Sequence, residues 1–412
     1  MANEPGIERV TRKPAWATVA GHAALVVVAV VVALVLAELV VRLAGVSYTP
    51  YVRAHPVLGM AHIPGAKSNR QNNGRPWIEI NSDGWRGPEV SLAAAPGTFR
   101  IALLGDSYIE AFDVPFEKTA GELLERRLSA LRGTPVEVLN FGHGGYGTAQ
   151  ELLTLQHEVW KYSPDLVLLA VTTGNDISDN SRPLKRLDYI PYYVLQGDSL
   201  VLDTSFRQSK GYRSRAVWTQ RMLGLMQHSR LAQLINRVRR TSRKTEQQHS
   251  NRTPGEELGM RDEVHHPPQT QEWKDAWRVT EALIRRMRDE CRARGTPFAM
   301  VTLTRGIQVT PVPEEKERFL RALGAPDLYY PERRLAALGR REGIPVFNLA
   351  PTMAEQAIRD RVYYHAHQDS LGIGHWSEAG HQAVAELLAG WLATEFPDTT
   401  ASPRAAAGRR SP

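Results

Sequence analysis

Four short stretches hold residue types that together suit nucleophilic acyl chemistry. Ser107 lies in Gly105-Asp106-Ser107, directly after the apolar run Phe99 to Leu104. The stretch Phe141-Gly142-His143-Gly144-Gly145-Tyr146-Gly147 offers backbone N–H groups that a ligand can approach closely, because glycine has no Cβ. Asn175, in Thr173-Gly174-Asn175-Asp176, offers a side-chain amide donor, and His375, in Gly374-His375-Trp376-Ser377, is a candidate base. A hydroxyl nucleophile needs a base within hydrogen-bond reach, a group that orients the base, and donors for the developing oxyanion.

The elements that must position these residues follow from apolar periodicity. Phe99–Leu104, Pro135–Asn140, Asp165–Val171, Thr296–Leu303 and Ile344–Leu349 are short apolar runs, the mark of strands buried in a parallel sheet. Helical patterns are predicted at about 118–132, with Leu123, Leu124, Leu128 and Leu131 on one face, and at 148–162, 271–294, 331–341 and 377–396. Strands alternating with helices over short links argue for a right-handed parallel α/β sheet. In such sheets ligands bind beyond the carboxyl ends of the strands. Three of the four stretches stand there, and the fourth opens the last helix.

Residues 180–270 interrupt this rhythm and read as an insertion. A β-hairpin is predicted at 189–195 and 199–203, then a basic helical stretch at 214–240 and a polar loop at 241–270. Residues 44–98 are a Pro/Gly/Asn-rich lead-in expected to cover a sheet edge rather than to take part in catalysis, with contact of Trp85 and Arg86 to a substrate the lesser alternative. Ahead of it, 15–43 begins with a run from Ala15 to Ala37 free of Asp, Glu, Lys and Arg. Roughly 20 such residues cross a ~30 Å hydrocarbon layer. Arg9, Arg12 and Lys13 precede the run, which places residues 1–14 in the cytoplasm and the rest outside it. The run is longer than the apolar core of a cleaved signal peptide, so a retained transmembrane anchor is expected. The tail 397–412 is expected to be disordered.

The chain has 412 residues, 42% hydrophobic and 23% charged, which suits one large domain with a real core. Its net charge of +7 comes without a zinc spacing or an aromatic-interleaved basic stretch, so nucleic acid is not an expected partner. The single cysteine, Cys291, excludes an intrachain disulfide and is expected to pack in a helix. His365-Ala-His367-Gln-Asp369 has metal-like spacing, but no further ligand string accompanies it, and neither a metal nor a cofactor is expected.

In order along the chain, GDSY at 105–108, NFGHGGYG at 140–147, TGND at 173–176 and GHWSEAGH at 374–381 resemble the four blocks of the SGNH/GDSL hydrolase superfamily. The resemblance covers about 99–176 and 271–396. It implies a flavodoxin-like three-layer α/β/α domain with an acyl-ester hydrolase site. Ser107 is the implied nucleophile and His375 the implied general base. The N–H groups of Ser107 and Gly145 (or Gly142) and the Asn175 amide are the implied oxyanion hole. Asp106, Gly142 and Asp176 are candidates for loop or substrate contacts. The family usually carries an aspartate two or three residues before the histidine, where this chain has Gly372 and Ile373. Asp369 is the nearest upstream acid; either it folds back to His375 Nδ1 or a backbone carbonyl orients the ring. The expectation is an outward-facing serine esterase acting on an acyl ester, acetyl among the candidates, of a carbohydrate or other envelope molecule. A transferase using the same residues and a non-catalytic polysaccharide-binding protein are the alternatives.

Overall fold

Strands with no polar face have to be covered on both sides, and the central strands here are. The computed structural model of the chain describes residues 15–46, 48–69, 77–238, 260–367 and 370–397. Five strands form the main sheet: β1 (Phe99–Gly105), β2 (Val136–Gly142), β3 (Leu166–Thr172), β4 (Phe298–Leu303) and β5 (Val346–Asn348). Every residue of β1, β3 and β4 is buried, whereas the edge strand β5 is half-buried throughout. All neighbours run parallel, in the order β5-β4-β3-β1-β2. This is the flavodoxin-like order, whose switch point between β1 and β3 opens a crevice beyond the strand ends. Ser107 follows β1 and Asn175 follows β3.

The helices that bear on the site are, in chain order, α1 (Ala15–Leu43), α2 (Ser107–Glu110), α3 (Ala120–Arg132), α4 (Thr148–Thr154), α5 (Lys210–His228), α6 (Gln271–Ala293), α7 (Tyr330–Glu342), α8 (Leu349–Asp360) and α9 (Glu378–Glu395). Alternate residues of β1 feed two cores. Ala102 and Leu104 pack towards α4, α6 and α7, while Ile101 and Leu103 pack towards α3, α8 and α9. Cys291 is buried in α6, as a packing residue should be.

Several local expectations change. A helix begins at Ser107 itself, with Asp106 accepting from the Tyr108 N–H as its cap. On α3, Leu131 faces solvent, so the apolar face is narrower than its spacing suggests. The helix from 148 stops being α-helical at Thr154 and continues as a π turn, Leu155–Val159. The segment 349–376 holds α8 and an antiparallel hairpin, His365–His367 with Ser370–Trp376, that periodicity missed. The hairpin forms, with its first strand at Tyr192–Gln196 rather than 189–195 and its second at Ser199–Asp203, and the basic stretch divides into α5 and a helix at 230–238. Of the stretch expected to be a loop, 260–270 is packed: Met260, Val264 and His265 are buried. Residues 239–259, the tail 1–14, Asp369 and 398–412 lie outside the described residues.

Behind the crevice lies a group of carboxylates. Neither Glu151 oxygen has a hydrogen-bond partner among the described residues, and burial with the charges of Asp106 and Asp179 pushes its pKa well up. Asp176 is raised likewise, by burial and then by Glu151 and Asp106. A raised carboxyl pKa means that folding favours the protonated form, so stability falls as pH climbs above the unfolded value of 4.5. Glu151→Gln removes that cost. Its melting temperature is expected to match the wild type near pH 4.5 and to exceed it by about 2–4 °C at pH 8, read by calorimetry.

Candidate active site

Each of the four stretches is held by its neighbours. Gly105 ends β1 where a Cβ would lie 2.4 Å from Ile109 Cγ1, so only glycine lets α2 fold back on the strand. A Cβ on Gly142 would meet the Glu110 nitrogen at 2.3 Å, which lets the end of β2 lie directly against α2. Asn140 completes that junction, donating from Nδ2 to Ile109 O at 2.8 Å and accepting from the Gly142 N–H at 2.8 Å. Asp106 accepts from Thr172 Oγ1 at 3.0 Å and from Asn175 Nδ2 at 3.1 Å, tying the Asn175 amide to the end of β1.

The fourth stretch is the second strand of the hairpin. His365 is buried, with Nδ1 2.8 Å from Gly374 O and Nε2 2.8 Å from Thr304 Oγ1. Because Nδ1 donates to a carbonyl, Nε2 accepts from the threonine hydroxyl, which in turn accepts from Trp376 Nε1–H at 2.9 Å. The ring is neutral, and burial holds its pKa down at about 4. Tyr108 also donates to Gly374 O, at 3.2 Å. His375 is thereby presented over α2. Its Nε2 lies 2.8 Å from Ser107 Oγ, and its Nδ1 lies 2.7 Å from Asp113 Oδ2.

Asp113 is the residue that reading the sequence missed. The expected partner, Asp369, lies outside the described residues, and the atom it was expected to reach is bonded to Asp113 instead. Among the described residues no backbone carbonyl serves that nitrogen either. Asp113 sits just past α2, which ends at Ala111 in the left-handed region with φ 54°. That conformation costs a non-glycine residue about 1 kcal/mol or more. Arg86 compensates for it. Its buried guanidinium donates to Glu110 O at 2.9 Å, to Ala111 O and to Val114 O at 2.7 Å, carbonyls on both sides of Asp113. The lead-in arginine therefore clasps the acid's turn.

A second strap joins the lead-in to the glycine loop. His62 Nε2 lies 2.7 Å from Glu110 Oε1, its Nδ1 lies 3.0 Å from Gly84 O, and Glu110 also receives the Gly144 N–H. Burial would raise the Glu110 pKa, but these partners hold it below the usual value. His143 stacks between His62 and Tyr146, each ring 4.2 Å away. The ligand-capable atoms of His62, Glu110 and His143 lie within 4.8 Å of one another. The His62–Glu110 contact is nevertheless a hydrogen-bond distance, shorter than the roughly 3.3 Å between ligands of a tetrahedral zinc. Within the loop, the Gly142 and Gly144 N–H groups are engaged, while that of Gly145, at φ 83°, has no partner among the described residues.

The family model for the GDSL-like lipase/acylhydrolase family matches residues 103–383, a span that takes in Ser107, Asn175 and His375. The chain belongs to that family. No curated protein matches it. Among solved structures it is similar to a lipase/acylhydrolase from Enterococcus faecalis, at 13% identity over 72% of this chain and 96% of that one, TM-score 0.35. It is also similar to a catalytic mutant of an acetylxylan esterase from Geobacillus stearothermophilus, at 12% identity, 71% and 94% coverage and TM-score 0.35. A third is the lipase Lip_vut3 from a goat rumen metagenome, at 13% identity, 71% and 98% coverage and TM-score 0.36. The GDSL stretch of this member thus carries, six residues after its serine, an acid bonded to the histidine of the last block.

Burial lowers the pKa of His375, but the Asp113 hydrogen bond and charge outweigh it, and the ring titrates above its ordinary 6.5. Histidine NMR titration is expected to place His375 above 6.5 in the wild type and at or below it in Asp113→Asn. An unchanged value in the variant would mean that the 2.7 Å contact does not persist in solution.

Proposed function

We propose that this GDSL-family protein is a membrane-anchored serine esterase whose triad is Ser107, His375 and Asp113. The observation that carries the reading is the unbroken line of contacts, Ser107 Oγ to His375 Nε2 at 2.8 Å and His375 Nδ1 to Asp113 at 2.7 Å. His375 Nε2 takes the hydroxyl proton as Ser107 Oγ attacks the ester carbonyl. Asp113 keeps the remaining proton on Nδ1 and stabilises the imidazolium that forms. The N–H groups of Ser107 and Gly145 and the second N–H of Asn175 Nδ2 receive the oxyanion. His375 then protonates the leaving alcohol, and water, deprotonated by the same nitrogen, hydrolyses the acyl-serine. Asp106 orients the Asn175 amide and Asp176 shapes the loop behind it; Gly142 packs against α2 rather than donating to substrate.

The substrate proposed is a short acyl ester, acetyl first among them, on a carbohydrate of the cell envelope. Ser107 and His375 are half-buried at the surface, so an ester on a bulky polymer can reach them. The membrane reading rests on α1, whose side chains Leu25, Val26 and Leu36 are uncovered by the rest of the protein. Near its end, Glu38 and Arg42 bond to the 228–231 segment, which favours a retained helix over a cleaved one. With the basic residues ahead of α1, the single span leaves the N-terminus in the cytoplasm and the catalytic domain outside it.

A fluorophosphonate probe is expected to label the full chain, and Ser107→Ala to abolish labelling. On p-nitrophenyl acetate, Ser107→Ala and His375→Ala should each lose about 1000-fold or more in kcat. Asn175→Ala should lose about 100-fold. Asp113→Asn should lose about 100-fold or more while Asp369→Asn stays within about twofold. The opposite pattern in the last pair would return the orienting role to Asp369.

A further inference from the structure

The 210–238 region has a feature that ester chemistry does not use. It contains six cations (Lys210, Arg213, Arg215, Arg221, Arg230 and Arg237) and no Asp or Glu. It also exposes large apolar side chains: Val217 is 46%, Leu225 52% and Ile235 59% exposed. Cationic, partly apolar helices of this kind suit the interface of an anionic bilayer.

Where this region sits is set by α1. Glu38, the first acid after the uncharged run, accepts from the backbone N–H groups of Arg230 and Leu231, both at 2.9 Å, and from Ser229 Oγ at 2.9 Å. The carboxylate of the apolar helix therefore caps the helix at 230–238. Arg42 donates to His228 O at 2.6 Å, closing the C-terminal end of α5 onto the same turn. Beyond α1, the Tyr48 N–H donates to Gln233 Oε1 at 2.8 Å, and the Arg237 guanidinium lies 4.1 Å from the Tyr48 ring centroid. Glu38 lies five residues before the end of α1, roughly 7.5 Å along its axis. The helix at 230–238 thus starts level with the last turns of the apolar helix, where hydrocarbon gives way to headgroups.

We propose that α5 and the helix at 230–238 form a platform that lies on the anionic headgroup layer of the bilayer α1 crosses. Leu225 and Ile235 enter the interface, and the exposed Lys210, Arg213 and Arg221 pair with lipid phosphates. The catalytic domain is then seated on the membrane rather than tethered above it, and the esters within reach are those displayed close to the lipid surface. This rests on the reading of α1 as a retained anchor.

The test uses the full chain in vesicles of phosphatidylcholine and phosphatidylglycerol. Single variants Leu225→Cys, Ile235→Cys and, as a distant exposed control, Ile358→Cys are labelled with the fluorophore NBD; the native Cys291 is buried. Collisional quenching by a doxyl group placed near the lipid headgroup is expected to be at least threefold stronger at 225 and 235 than at 358. It should also be stronger in phosphatidylglycerol-containing vesicles than in phosphatidylcholine alone. Retention of the protein after alkaline extraction, with equal quenching at all three positions, overturns the platform alone. Release by alkali overturns the anchor reading and the platform with it. Esterase assays of the unlabelled chain report separately on the Ser107 site.

Discussion

An imidazole paired with a hydroxyl through Nε2 needs an acceptor at Nδ1, or it will spend its time in the wrong tautomer and orientation. In this protein that requirement falls on Asp113, and much of the surrounding structure serves to keep one carboxylate in place. The acid stands just beyond a one-turn helix that ends in a left-handed alanine, a conformation that does not hold itself. Arg86 fixes it by donating to three carbonyls that bracket the acid. Each bond is to a neutral acceptor, so the buried charge acts as a rigid multi-pronged donor rather than as an ion-pair partner.

That dependence changes what the lead-in segment is. Its residues do not merely shield a sheet edge. Arg86 holds the turn after α2, and His62 holds Glu110 at the end of α2, which in turn receives the Gly144 N–H. One buried carboxylate thus connects the lead-in, the helix that starts at Ser107 and the glycine loop. On the opposite side, His365, Thr304 and Trp376 fix the backbone carbonyl just before His375. Serine and histidine therefore approach each other from two independently braced elements, as a preorganised site requires.

The apolar N-terminal helix is joined to the body by directional bonds and not only by chain connectivity. Glu38 satisfies the otherwise orphan N–H groups at the start of the 230–238 helix. The insertion is thereby linked to the far end of the lead-in, and the lead-in to the serine turn, in one chain of contacts.

Much of the scaffold was legible in the sequence because its signals are local. Mostly apolar runs mark β1, β3 and β4, the glycines mark close approaches, and the order of Ser107, Asn175 and His375 along alternating strands and helices marks one crevice. Local patterns failed where burial or contact depends on distant partners. Leu131 has the right spacing but nothing to cover it, and the hairpin that carries His375 pairs two short segments across a bulge that no local repeat marks. Asp113 carries no periodic or spacing signal at all. Whether it or Asp369 faces His375 depends on how a strained turn, an arginine from the lead-in and a distant hairpin pack together. The sheet, the crevice and the residue types able to react follow from local patterns along the chain. Which carboxylate meets the histidine does not, because that choice is a contact between segments remote in the chain, set by side-chain packing rather than by any repeat along it.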